Sequence, residues 1–139
     1  MKIEIIAVGK LTDKSQKSIL DEYLKRTKNI KIIEIPSKNN YKEDSSQLQK
    51  VQYNQIIKNI SRHNLIISLD EKGEEFTRQN FAKFLQKTNE DFNKTITFVI
   101  GGAYGLDQRI KEMSYKVISL GKMPFPHMIA RILLTEQLY

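Results

Sequence analysis

Residues 95–127 read TITFVIGGAYGLDQRIKEMSYKVISLGKMPFPH, and within them two apolar runs each empty into a loop that a ligand can fill. The first run, residues 96–100, is short and ends at Gly101, Gly102 and Gly105. That pattern predicts a buried strand feeding a glycine turn. Glycine there permits positive φ and lets a bound group approach the backbone, whose N–H groups also face it at the start of the next helix. The second run, residues 117–120, opens into Gly121, Lys122, Met123, Pro124, Phe125 and Pro126. Two prolines two residues apart forbid helix and sheet ladder alike in that loop. An apolar, backbone-rich loop beside a glycine turn suits an adenine-bearing ligand better than a metal ion or a bare phosphate.

Outward from this stretch the chain keeps one rhythm. Between the two runs, Leu106, Ile110 and Met113 mark a short helix, and after the proline loop a last helix starts at His127. Towards the amino end, Thr77 caps a helix whose inward face carries Phe81, Phe84 and Leu85, with residues 89–94 as the connecting turn. Residues 65–69 form a strand that ends at Asp70, Glu71, Lys72 and Gly73. The stripe Tyr53, Ile56, Ile57 and Ile60 defines a helix over residues 47–62, preceded by a polar stretch, residues 37–46, without periodicity, which reads as a mobile loop. Residues 30–35 alternate as a strand and stop at Pro36. Before them, Leu20, Tyr23, Leu24 and Thr27 mark an amphipathic helix, capped by Asp13 and ending near Asn29. Residues 2–8 are a first strand broken by Gly9, and its loop carries Lys10 and Lys14.

Five strand–helix units in succession, with short connections, predict an α/β fold in which a mostly parallel sheet is flanked by helices and a ligand crevice lies at the carboxyl ends of strands. The loops after Leu69, Ile100 and Leu120 all leave such ends. At 139 residues and 40% hydrophobic content the chain suits a single domain, residues 1–139, with a real core. It has no cysteine, which excludes disulfides, thiolate nucleophiles and cysteine-ligated zinc, and its two histidines are too few for most zinc or iron sites. No metal site is expected. Glu4 interrupts an amino-terminal apolar run already too short for a signal peptide, and no run approaches transmembrane length, so the expectation is a soluble cytoplasmic protein without a membrane partner.

Charge is uneven. The formal net charge of +7 divides into 13 basic against 7 acidic residues over positions 1–63 and 10 against 9 over the remainder. A basic first half beside a small-molecule site suggests a polyanion surface, although lysine outnumbers arginine 18 to 5, and nucleic-acid surfaces usually favour more arginine.

The local motifs exclude more than they assign. Gly101, Gly102 and Gly105 do not make the G-x-G-x-x-G fingerprint and follow the fourth strand rather than the first, which disfavours a dinucleotide-dependent dehydrogenase. Gly9-Lys10 lacks the remaining residues of a phosphate-binding P-loop. Asp70 and Glu71, before Gly73, read as solvated turn residues and receive no catalytic role. His127 follows Pro126 at a helix start, where the helix dipole favours neutral imidazole; it is either a hydrogen-bond partner or base, or simply the residue that occupies that start. His63, beside Arg62, reads as a partner for a helix carboxyl terminus. Arg131, one turn beyond His127, is open to two roles, a phosphate contact or a structural salt bridge.

Read in order, the segments KIEIIAVGK, EYLKR, IIEIPS, ISLDEKG, FVIGGAYGL and SLGKMPFPHMIARILLTEQLY resemble the small SPOUT-class methyltransferases that act on N3 of a pseudouridine in large-subunit ribosomal RNA. The resemblance covers essentially the whole chain and is specific in the last three segments. It implies a carboxyl-terminal trefoil knot, which general topology rules would argue against. It also implies a homodimer, and S-adenosylmethionine held by the knotted loops. Positions matching the family's cofactor contacts are Leu69, Gly101, Leu120, Gly121, Lys122, Met123, Pro124 and Phe125. Family members continue beyond LLTEQLY for a further helical stretch and a Tyr-His ending near the catalytic pocket, so the resemblance places target binding or chemistry partly outside these 139 residues.

The expected activity is therefore transfer of the sulfonium methyl of S-adenosylmethionine to pseudouridine N3 in 23S ribosomal RNA, on free RNA or in the ribosome. His127 is the candidate proton acceptor, with Arg131 and first-half lysines as RNA contacts. Two alternatives stand beside it: an RNA- or ribosome-binding module that keeps the cofactor pocket with weakened catalysis, and a flavodoxin-like mononucleotide binder.

Overall fold

The computed structural model describes residues 1–36, 45–102, 105–121 and 127–138. The elements run β1 (Ile3–Val8), α1 (Lys14–Arg26), β2 (Ile30–Ile35), α2 (Ser45–Asn59), β3 (Leu65–Glu75), α3 (Arg78–Phe92), β4 (Ile96–Ile100), α4 (Gln108–Glu112), β5 (Lys116–Ser119) and α5 (His127–Leu138). The strands form one sheet in the order β2-β1-β4-β3-β5, and every pair is parallel. A parallel sheet needs helices on both faces, so its interior strands must be apolar on both sides. β4, in the middle, is buried at all five residues, and β1 is buried at five of six.

Each face has its own core. Ile3, Ile5, Phe98, Ile100, Ile67 and Ile118 pack with Phe81 and Leu85 of α3 and Leu134 of α5. On the other face Ile6, Val8, Val99 and Ile66 pack with Ile56 of α2, Leu106, and Ile110 of α4. Fully burying each such side chain contributes about 1.5–3 kcal/mol relative to exposure.

Helix ends follow their capping residues. Asp13 accepts from the Gln16 N–H at 2.9 Å, Thr77 from Asn80 at 3.1 Å and Asp107 from Arg109 at 2.9 Å, each satisfying an otherwise orphaned donor. Lys25 and Arg26 lie in the last turn of α1, where a positive charge is favoured.

Several boundaries differ from the sequence reading. α3 runs to Phe92 rather than turning at 89, because buried Thr88 bonds the Phe84 carbonyl at 2.7 Å and Asn93 takes up the left-handed cap at φ 49°. α2 begins at Ser45 and ends at Asn59, which leaves His63 exposed in the turn beyond it. Residues 37–44 of the expected loop lie outside the described residues. Met113 does not face the core; it follows the five-residue α4 and is 47% exposed.

The largest difference is in β3, which does not stop at Asp70. Leu69 and Glu74 both pair with Ile118, so residues 70–73 bulge out and the strand resumes at Glu74 and Glu75. Gly73 makes the bulge possible, since a Cβ there would lie 2.6 Å from the Ile118 carbonyl carbon. Asp70 is correspondingly more than a solvated turn residue. Burial alone would raise its carboxyl, but a 2.6 Å ion pair with Lys111 and backbone N–H groups hold it below the usual carboxylate range.

Candidate functional site

Because β4, β3 and β5 are neighbours and parallel, their carboxyl ends open on one side of the sheet. Register puts Ser68 opposite Val99 and Leu69 opposite Ile118, so Leu69, Gly101 and Leu120 lie within two residues of the same line. The fold thus brings together three loops widely separated in sequence. Leu69, Leu120 and Gly121 are half-buried there, and Gly101 is buried. Lys122, Met123, Pro124 and Phe125 lie outside the described residues.

The turn after β4 is built on backbone. Gly105 donates to the Gly102 carbonyl at 3.0 Å, closing the turn, and adopts φ +80°. A Cβ on Gly101 would come within 2.8 Å of the Gly105 carbonyl carbon, and one on Gly102 within 3.1 Å of Val8 Cγ1 and 3.2 Å of the Gln52 amide nitrogen. Gly101 is demanded by the turn's own backbone, whereas at Gly102 the Val8 and Gln52 side chains would have to shift by a few tenths of an ångström. Gly105 differs, since a Cβ there would meet nothing within 4 Å and only its backbone conformation calls for glycine. After β5, the Ser119 hydroxyl donates to the Gly121 carbonyl at 2.8 Å and accepts from its N–H at 3.1 Å, which sets the direction in which the chain leaves the strand. Among the described residues, the half-buried leucines and the backbone beside Gly105 are the kind of lining an adenosyl group takes.

Around this lining are groups the sequence reading passed over. Tyr53, placed there in an apolar helix stripe, carries the Arg109 guanidinium 3.7 Å from its ring centroid. Arg109 in turn contacts Asp107 at 3.0 Å, and its hydrogen bond holds the Asp107 carboxyl below the ordinary range. Glu34 was passed over too. Its Oε2 accepts from the Leu11 N–H at 2.7 Å and from Arg131 at 3.0 Å. The available signal was a lone carboxylate in an otherwise apolar run beside Pro36.

Of the two roles open to Arg131, the fold realises the salt bridge. The side chain has no solvent exposure and also donates to the Val8 and Gly9 carbonyls at 3.2 and 3.1 Å. Burial lowers its pKa, and Glu34 works against that shift. His127 is the first residue of α5, one turn before Arg131.

Among the described residues there is no cluster of three or more potential metal ligands, and no helix long and apolar enough to cross a membrane. The family model described as predicted SPOUT methyltransferase matches residues 1–139. Among similar proteins, the ribosomal RNA large subunit methyltransferase H of Dictyoglomus thermophilum is 39% identical, over all of this chain and 92% of its own length. The proteins of the same name from Clostridium botulinum and Ruminiclostridium cellulolyticum are each 37% identical with the same coverage. The chain, with its parallel sheet and three converging carboxyl-terminal loops, therefore belongs to the SPOUT methyltransferase family.

Proposed function

We propose that this protein transfers a methyl group from S-adenosylmethionine to N3 of a pseudouridine in 23S ribosomal RNA. The observation that carries the reading is that Leu69, Gly101, Leu120 and Gly121 lie at neighbouring carboxyl ends of the sheet in a chain matched end to end by this family. Relatives named as large-subunit ribosomal RNA methyltransferases support the substrate. When bound, S-adenosylmethionine supplies an electrophilic sulfonium methyl. The chain's part is to hold the donor by Leu69, Gly101, Leu120, Gly121, Lys122, Met123, Pro124 and Phe125, and to exclude water. Alignment of methyl and nitrogen supplies most of the rate. The N3 proton must leave, and His127, at the amino end of α5, is the side chain we assign to accept it.

The reading extends to the RNA surface, the knot and the dimer. Lys10, Lys14, Lys17, Lys25 and Lys28 are exposed on and around α1 and suit phosphate contacts. A carboxyl-terminal knot enters the reading through the family alone. A homodimer is supported by α5, where Ile129, Ile132, Leu133 and Leu138 stay half-exposed around buried Leu134. Such an enzyme works in the cytoplasm, where ribosomes are. The experiment is a calorimetric titration with S-adenosylmethionine, followed by radiolabelled methyl transfer to ribosomes lacking the modification. Binding and turnover are expected. Binding without turnover would favour an RNA-binding module that keeps the pocket, and no binding would sink the reading.

A further inference from the structure

Arg131 ties α5 to the ends of β1 and β2. On one side, without solvent exposure, it holds the end of β1 by donating to the Val8 and Gly9 carbonyls. Val8 is also the residue whose Cγ1 borders Gly102, so the position of β1's end and that of the glycine turn are set together. On the other side Arg131 lies one turn inside α5, whose first residue follows the loop that leaves β5. Glu34 adds a third tie, since the oxygen that receives Arg131 also receives the Leu11 N–H. The arrangement is costly for stability alone. A buried guanidinium loses its hydration, and Nε finds no partner among the described residues. Apolar side chains of similar volume often serve stability as well as a buried ion pair, whereas an ion pair is directional.

We propose that Arg131, held by Glu34, is a positioning residue that sets the spacing between α5 and the end of β1, and through Val8 that of the glycine turn after β4. This rests on the proposed function for what the crevice binds, but the spacing itself is a property of this chain. Lysine at 131 keeps the charge for Glu34, yet one ammonium cannot reproduce the fork that spans a carboxylate and two carbonyls.

The test compares Arg131→Lys with Leu85→Ala, a core variant of α3 that makes none of the Arg131 hydrogen bonds, both titrated with S-adenosylmethionine at a temperature where each remains folded. Leu85→Ala is expected to lower Tm and leave the dissociation constant within twofold of the parent. Arg131→Lys is expected to raise it at least tenfold for a similar or smaller loss of Tm. Equal affinities in the two variants would overturn the proposal and leave Arg131 a structural residue. If Arg131→Lys does not fold, Glu34→Gln, which retains an acceptor for Leu11, takes its place with the same expectation and the same overturning result. If the parent protein itself binds no S-adenosylmethionine, the proposed function fails, and amide hydrogen exchange decides the inference separately. Peptides covering 99–102 and 127–131 should then exchange faster together in Arg131→Lys than in Leu85→Ala, and unchanged exchange in both would overturn it.

Discussion

β1 and β4 are adjacent strands, each ends in glycine, and the two ends have opposite fates. Gly9 takes φ +95° and donates to the Ile35 carbonyl, while its own carbonyl and that of Val8 are claimed by Arg131. That end is filled from within by a side chain supplied 122 residues later in the chain. The end of β4 closes on itself through Gly102 and Gly105 and leaves open space beside Gly105. A glycine after a parallel strand thus marks a close approach without saying whose approach it is. At β1 the Val8 and Gly9 carbonyls receive the protein's own guanidinium, and at β4 the space above Gly101 is taken by the Gly105 backbone.

The comparison can be broken most forcefully at the filled end. Arg131→Met orphans the Val8 and Gly9 carbonyls and should cost about 3 kcal/mol, the lower end for a broken buried pair, because Glu34 retains some access to water. Denaturant unfolding at neutral pH measures it, and a loss under about 1 kcal/mol would show that water replaces the guanidinium easily. At the open end, Gly101→Val should weaken S-adenosylmethionine binding at least tenfold, about 1.4 kcal/mol. Its Cβ would strike the Gly105 backbone and deform the turn, so an unchanged dissociation constant in folded protein would remove this loop from the site. Gly105→Ala should cost about 1 kcal/mol of stability from its positive φ alone, since space is free there; Gly105→Asn, which tolerates that conformation better, should cost less.

The smallest effect lies at the bulge. The carboxyl of Asp70 is lowered in the folded state, so its contribution to stability is present above its unfolded pKa of 3.8 and is lost as pH falls below that through the folded value. Asp70→Asn should therefore lower stability at pH 7 by less than about 1 kcal/mol and flatten the acid limb of the pH–stability curve. An acid limb that is identical in the two proteins would show that Lys111 does not stabilise the folded carboxylate.

What was legible in the sequence follows the range of the interaction concerned. The apolar runs of β1 and β4 and the caps Asp13 and Thr77 rest on contacts within a few residues, and they were readable without a structure. The three loops were readable as carboxyl-terminal loops because strand–helix alternation dictates a parallel sheet. The role of Arg131 was not, because its partners Val8, Gly9 and Glu34 lie about a hundred residues away. Nor was the bulge of β3, because the reason for Gly73 is the backbone of Ile118 on another strand. Register across a sheet is invisible to local pattern, which left the two roles of Arg131 undecided and hid the bulge of β3.

The place of β4 between β1 and β3 bears on how the chain acquires its fold during synthesis. β1 and β2 are parallel partners close in sequence and can pair early, and β3 is made next, yet no hydrogen bond joins β3 to that pair until β4 is present. Ile3 waits for Ile96, and the sheet can become continuous only after residue 100 has left the ribosome. Loop-closure entropy must be met before these distant pairings return anything, which slows folding and leaves the apolar edges of β1 and β3 uncovered in the meantime. Until β4 is made, the nascent chain therefore holds one two-stranded fragment, β1 with β2, and an unpaired β3, joined late by a single five-residue strand.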